Sequence, residues 1–379
     1  MPPNRAPSNG AQPDWTHPAV QRGCVSVMMP AYRAEAYIGE AIESVLAQTL
    51  GNWELWIVLD GASDGAEEAI TRFSDPRIHT LRQEHAGEAA ARNLALRHLT
   101  GEFVAFLDAD DLLLPKHLAL TVEYLQRHPA RGGVYTDGYY IDEHGQRLAL
   151  LSTRRRGPFQ GRIFEQILRA SDVFGPPMCT VLRLERILGR GHTFDTRIVI
   201  GPDWDFLTRY AESEDFGYLA EPTCLYRLHP SNITRTAEPE RRRASLALCR
   251  EKAIGLPGFL QCSPDVRAHA FYDLLVNLLD GMPERQMEVA TWAAFEQLPR
   301  ASRARLFRLM AGKAVASGGA GESVREWFER AFRLRPWDLK NALLLGLYLL
   351  SPSLCRFALR VRAQASVPRG RNAPADAML

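Results

Sequence analysis

The sequence predicts an α/β fold, a doubly wound and mainly parallel sheet followed by an α-helical C-terminal region. Three observations carry that expectation. Short apolar runs of strand length alternate four times with helical patterns between residues 25 and 107. Runs apolar on both faces suit parallel strands covered by helices. Two of them stop at acidic turns, Asp60-Gly61 and Asp108-Ala109-Asp110-Asp111, and ligands of such sheets bind beyond the carboxyl ends of the strands.

The elements follow in order. Residues 1–23 are rich in Pro, Asn and Gly near the start and lack a basic-then-apolar leader pattern, so they read as a disordered lead-in. Val25–Met29 forms the first strand, closed by Pro30, which cannot donate to a ladder. Ile38, Ile42, Val45 and Leu46 then recur at helical spacing. Trp53–Leu59 is the second strand, and Asp64 caps a helix running to Phe73. Ile78–Leu81 is the third strand, Ala86–Leu99 the third helix and Phe103–Leu107 the fourth strand. Val134–Ile141 reads as a further strand before the turn Asp142-Glu143-His144-Gly145. The basic triplet Arg154–Arg156 reads as a solvated loop, with an anion clamp as the alternative. Beyond residue 235 long amphipathic patterns dominate, interrupted at Pro257, Pro264, Pro283, Pro299 and Gly318–Gly321.

In this helical region Ala301–Ser317 and Glu322–Leu334 suggest a hairpin. The apolar stretch Leu343–Leu350 is expected to be buried as the last helix of the bundle. Its alternative is contact with an anionic membrane face, helped by Arg356, Arg360, Arg362, Arg369 and Arg371. The expected domains are 24–235, divided into 24–130 and 131–235, then a helical region 236–362 and a disordered tail 363–379.

Composition narrows the classes. The 379 residues are 46% hydrophobic and 24% charged with a formal net charge of +2, which argues against bulk nucleic-acid binding. The six cysteines form no CxxC and no metal-type spacing, as expected for reduced thiols in a cytoplasmic protein. No run approaches the roughly 20 apolar residues of a membrane span. There is neither a GxGxxG after the first strand nor a GxxxxGK[ST], so a phosphate ligand needs another grip. Three carboxylates within Asp108–Asp111 supply one, because like charges so close call for a counter-ion. A divalent cation, Mg²⁺ or Mn²⁺, beside phosphates is the economical partner. The alternative is an acidic turn at the start of the helix near Pro115.

The order VSVMMPAYRAEAYIGEAIESVLAQT, WELWIVLDGASDG and HAGEAAARNLALRHLTGEFVAFLDADDLLLP, over residues 24–235, resembles family 2 glycosyltransferases. The later FDTRIVIGPDWDFLTRYAE and LYRLHPSNIT resemble that family's acidic and Tyr-Arg-x-His segments. The resemblance implies a GT-A fold and an inverting, metal-dependent transfer from a nucleotide-diphosphate sugar, preferably a UDP-sugar, to an acceptor hydroxyl of a carbohydrate, lipid-linked or other molecule. It implies Asp110 as metal ligand with His229, and Asp108 on the ribose or a metal-bound water. Asp60 then takes a hydrogen bond from the donor's base, lined by Pro30, Ala31 and Tyr32, with Arg92 and Asn93 near the diphosphate. Asp203 aligns with the catalytic base, although Pro202 replaces the usual Glu before it. Asp137 and Trp204 are acceptor-side candidates.

Plainer readings stand beside these. Asp60 forms an Asx-turn, Arg92 a surface ion pair with Glu88, Asp111 a helix start, Trp204 core, and His229 an ordinary hydrogen-bonded residue. Asp205 is the alternative base. A degenerate nucleotide-sugar-binding protein and a nucleotidyltransferase are the rival functions, and peripheral contact with the inner membrane face and homodimerisation are secondary expectations.

Overall fold

The computed structural model describes residues 17–61, 65–278 and 283–365. Strands form where the apolar runs lie: β1 (Gln21–Ala31), β2 (Trp53–Asp60), β3 (Ile78–Gln83) and β4 (Gly101–Phe106). They pair in parallel in the order β3-β2-β1-β4. Helices α1 (Ile38–Leu46), α2 (Ala66–Thr71) and α3 (Glu88–Leu96) connect them. On one face Val25, Val27 and Met29 pack with Ile38, Ile42 and Val45, all without exposure. The polar residues in this core are satisfied: Ser26 Oγ donates to Glu54 at 2.5 Å, and Glu54 also accepts from the Thr100 amide at 2.6 Å.

β1 begins at Gln21, before the expected Val25, because the Gln21 amide donates to the Thr100 carbonyl. It also runs through Pro30, paired with Val58 on the β2 side only. The last β4 partner is Phe106 opposite Met28, so the missing proline N–H leaves no rung empty. The expected Asp64 cap, the start of the lead-in and the end of the tail lie outside the described residues.

The remainder of the first unit comprises β5 (Leu112–Leu113), α4 (His117–Arg127), β6 (Gly133–Ile141), β7 (Arg147–Leu150), α5 (Phe164–Arg169), β8 (Thr180–Arg183), α6 (Leu184–Gly189), α7 (Pro202–Ala211), β9 (Phe216–Arg227) and α8 (Ile233–Thr236). Here the sheet becomes mixed. β8 lies antiparallel between β4 and β6, while β9 pairs parallel with β6 and antiparallel with β5. The four-residue run Thr180–Arg183 is too short to announce a strand in sequence, which is why the parallel expectation holds only for the first half. Asp111 is not a helix start either. β5 separates it from α4, and its side chain is 1% exposed inside the protein.

The chain divides into two compact units, one ending at Ala237 and one beginning at Glu238. The second contains α9 (Pro239–Ile254), α10 (Pro264–Leu278), α11 (Pro283–Val289), α12 (Ala293–Glu296), α13 (Arg300–Ala316), α14 (Glu322–Leu334), α15 (Leu339–Leu350) and α16 (Pro352–Ala365). A run of aromatic contacts, Phe259–Phe271–Phe295–Phe307, fills its centre. α13 and α14 form the expected hairpin, and buried Asn341 of α15 ties to both, accepting from Arg308 and donating to the Ala331 carbonyl. α16 extends three residues past the expected end at Arg362. Burial of Leu343–Leu350 does not hold: Leu344 and Tyr348 face inward, but Leu343, Leu349 and Leu350 are exposed. The amphipathic period of α15 buries one stripe and leaves the other uncovered.

Candidate active site

The carboxyl ends of β1, β2 and β4 bring the acidic turns together with α3. Arg92, on the inner face of α3, has no exposure, and its guanidinium lies 2.5 Å from Glu88 and 2.6 Å from Asp108. Phe106 and Phe194 pack beside its charge at 5.8 and 5.6 Å. The Glu88 pair read from the sequence is therefore present, joined by Asp108 in a triad around a fully buried Arg92, and it is not a surface pair. Burial lowers the Arg92 pKa, but Glu88, Asp108 and Asp203 outweigh it and hold the guanidinium above its ordinary value. Burial raises Glu88 to about 7 against the pull of Arg92, helped by Asp108, Asp203 and Asp110. Asp108 is raised by burial in the same way, with Arg92 opposing and Asp110 and Asp203 adding to it.

Asp203 stands in the first turn of α7, behind Gly201 in a left-handed conformation (φ +77°) and Pro202 at the first helical position. Proline suits that position because its absent N–H would have no helical partner. Asp203 is half-buried, and its charge is felt by Glu88, Arg92 and Asp108. Among the described residues no hydrogen bond or ion pair engages its carboxylate. Asp205, the alternative base, is 2% exposed and held by Arg209 at 2.8 Å.

At the acidic turn, Asp110 Oδ2 lies 2.9 Å from His229 Nε2, and His229 Nδ1 lies 2.8 Å from Ser231. Arg227, 1% exposed, holds the turn in place. Its Nε donates to the Asp110 carbonyl, its amide to Asp111 Oδ1, and its Nη2 to Glu40. Burial, then Asp110 and Asp108, raise the Asp111 carboxyl well above the usual range. Among the described residues no three His, Cys, Asp or Glu side chains are grouped to hold a metal unaided. A hard cation beside phosphates uses only one or two protein carboxylates. Asp110, an oxygen donor with 32% of its side chain exposed, fits that need.

At the end of β2, Asp60 is 2% exposed. It accepts from Gln83 Nε2 (2.7 Å), the Ala86 amide (2.7 Å), the Gly87 amide (2.8 Å) and His85 Nδ1 (3.0 Å). Burial raises the carboxyl, and these bonds outweigh it, so the group stays below its ordinary pKa. Its partners thus reach across to the β3–α3 turn rather than forming a local Asx-turn. Tyr32 is exposed and stacks on His85, with Ala31 buried behind it and Pro30 half-buried.

Other expected residues point elsewhere. The Asn93 amide clamps the Phe194 backbone, with both bonds at 2.8 Å. Asp137 is 4% exposed and committed to Arg155 and the Gly138 and Ser152 amides, so it offers nothing to an acceptor. Trp204 is 6% exposed and packs as core, with no ring face open to a sugar. Arg155 of the basic triplet is buried as well, donating to the Thr136 and Phe174 carbonyls. The sequence reading missed Arg227 and His85, and gave Glu88 only as a surface partner of Arg92. Only Arg227 carried a signal, as the Arg of the Tyr-Arg-x-His segment.

A sheet whose strand ends present these carboxylates beside a buried arginine defines the class, a GT-A-type α/β fold. The chain superposes on TarS residues 1–349 of S. aureus, solved with UDP-GlcNAc, with TM-score 0.56 and 15% identity over 91% of this chain and 93% of that one, a likeness of fold. Residues 26–185 match the profile of Glycosyl transferase family 2. It is 43% identical over 105 residues to the UDP-Glc:alpha-D-GlcNAc-diphosphoundecaprenol beta-1,3-glucosyltransferase WfgD of Escherichia coli, covering 27% of this chain and 42% of that protein. It is 39% identical over 104 residues to the putative teichuronic acid biosynthesis glycosyltransferase TuaG of Bacillus subtilis (strain 168), covering 27% and 41%. The chain thus spans less than half the length of either relative.

Proposed function

We propose that the chain transfers a sugar, with inversion, from a nucleotide-diphosphate sugar to an acceptor hydroxyl in polysaccharide or glycan biosynthesis. The observation that carries this is the Asp203 carboxylate, uncommitted beside the Arg92–Asp108–Glu88 triad. In the transfer, Asp203 takes the acceptor's hydroxyl proton while that oxygen bonds the anomeric carbon. The carbon–oxygen bond to the diphosphate breaks on the opposite face, and the nucleoside diphosphate leaves with the electron pair. One base and no covalent intermediate give inversion.

Arg92 orients Asp108 toward the donor, and Asp110 with His229 holds the divalent cation, Mg²⁺ or Mn²⁺. When bound, that cation neutralises charge on the departing diphosphate. Asp60 and the Pro30-Ala31-Tyr32 corner receive the base. Pro202 does not argue for lost chemistry, since it opens α7 at a position that favours proline.

The named relatives favour a UDP-sugar donor and, through WfgD, an acceptor carried on a lipid diphosphate. The second unit supports a peripheral membrane contact. Leu339, Leu343, Leu350, Leu354 and Phe357 are all more than half exposed. Arg335, Lys340, Arg356 and Arg360 flank them, against Asp338 alone. That charge suits an anionic bilayer, and it opposes a homodimer that would set the same basic stripe against itself.

Calorimetry against UDP, GDP, CDP and ADP, with Mn²⁺ and with EDTA, tests the donor site. Metal-dependent binding of one of them, lost in Asp110→Ala, is the expected result. A folded protein that binds none would sink the proposal.

A further inference from the structure

The four acceptor positions of the Asp60 carboxylate are all taken, two on each oxygen. Two of the donors, the Ala86 and Gly87 amides, belong to the framework. Gln83 pairs with Asp60 in the β2–β3 ladder, and the Ala86 and Gly87 amides form the approach to α3. Of the two side-chain donors Gln83 is half-buried, whereas the His85 ring is 53% exposed and is the readier to leave. A base that reaches Asp60 must therefore displace it.

His85 makes a second contact of the same kind. Its ring lies 4.1 Å from that of Tyr32, with 17° between their planes. A flat heterocycle donating N–H to a buried carboxylate while stacked on an aromatic wall is what a nucleobase would be in this slot. The seat depends on Gly61, whose φ is +78° and where an added Cβ would lie 2.7 Å from the His85 Cβ.

We propose that His85 is an internal stand-in for the donor's base, occupying the slot between Tyr32 and Asp60 until the base displaces it. This rests on the donor-site reading above. It also sets a selection. Displacement restores the lost bond only for a base with a ring N–H, as uracil has at N3 and guanine at N1, and not for cytosine or adenine, whose ring nitrogens there accept.

Calorimetry of UDP with wild type and His85→Ala, in Mn²⁺, tests it. A slot open in about one molecule in ten predicts about tenfold tighter UDP binding in the variant, since the occupied fraction no longer subtracts from affinity. In wild type, UDP should also shift the His85 imidazole ¹⁵N resonances as the bond to Asp60 is lost, a readout that needs no variant. UDP binding that is unchanged or weaker in a folded His85→Ala, or ¹⁵N resonances that do not move when UDP binds, would overturn the inference while leaving the donor site standing. Failure of both proteins to bind any nucleoside diphosphate would remove the donor reading and this inference with it.

Discussion

Replacing Arg92 by methionine keeps most of its stem volume and removes the charge between Glu88 and Asp108. Two carboxylates then face each other beside Asp203 with no cation among them. Breaking a buried ion pair by deleting one partner costs about 3–5 kcal/mol, a large share of the roughly 5–15 kcal/mol that holds a domain folded. The pH dependence follows from Glu88, whose pKa of about 7 lies above its ordinary 4.5. Between those values the folded state binds more protons than the unfolded one, so Glu88 costs stability progressively as pH rises through that window. Without Arg92 both carboxyls rise further, so the deficit of Arg92→Met should be greatest above pH 7 and shrink toward pH 5. Urea unfolding in EDTA, with hydrogen exchange at β1 and β4 amides assigning the transition, measures it. A loss under about 1 kcal/mol, or a deficit equal at pH 5 and pH 8, would refute the assignment of Arg92 as the buried counter-ion.

Asp203→Asn should lower kcat by about 10²–10⁴-fold, the usual worth of a general base, with UDP affinity within about twofold of wild type; unchanged turnover would remove Asp203 from the reaction. The protein should co-sediment with vesicles containing phosphatidylglycerol and not with pure phosphatidylcholine. Leu343→Ser with Phe357→Ser should cut the bound fraction at least about tenfold, since each buried apolar side chain is worth roughly 1.5–3 kcal/mol. A concentration-dependent dimer in light scattering, with no vesicle binding, would assign that face to a second copy of the chain.

The first four strands could be read in advance because they alternate with helical patterns, and three of them are apolar runs ended by a proline or an acidic turn. Asp108 and Asp110 were legible because carboxylates that close need a counter-charge wherever they fold. What stayed hidden is decided by tertiary pairing. Nothing local marks β8 as the strip joining two half-sheets, or distinguishes Asn93, clamped on Phe194, from a ligand contact. Asp137 and Trp204 sit in segments with the right pattern, and only their burial shows them committed elsewhere. His85 is a lone histidine in a polar turn, and its stacking on Tyr32 exists only once β1 and β3 share a sheet.

Arg227 and His229 close the acidic turn from 117 and 119 residues away. During synthesis, a nascent chain that has exposed every strand of the parallel half still lacks the clamp on Asp110 and the backbone donor for Asp111. Domains fold largely as units while the ribosome delivers them. On the proposed donor reading, competence to hold the phosphates thus arrives late and all at once, when β9 adds to the sheet. A fragment ending near residue 185, although it spans the whole family match, would lack the groups that organise the acidic turn.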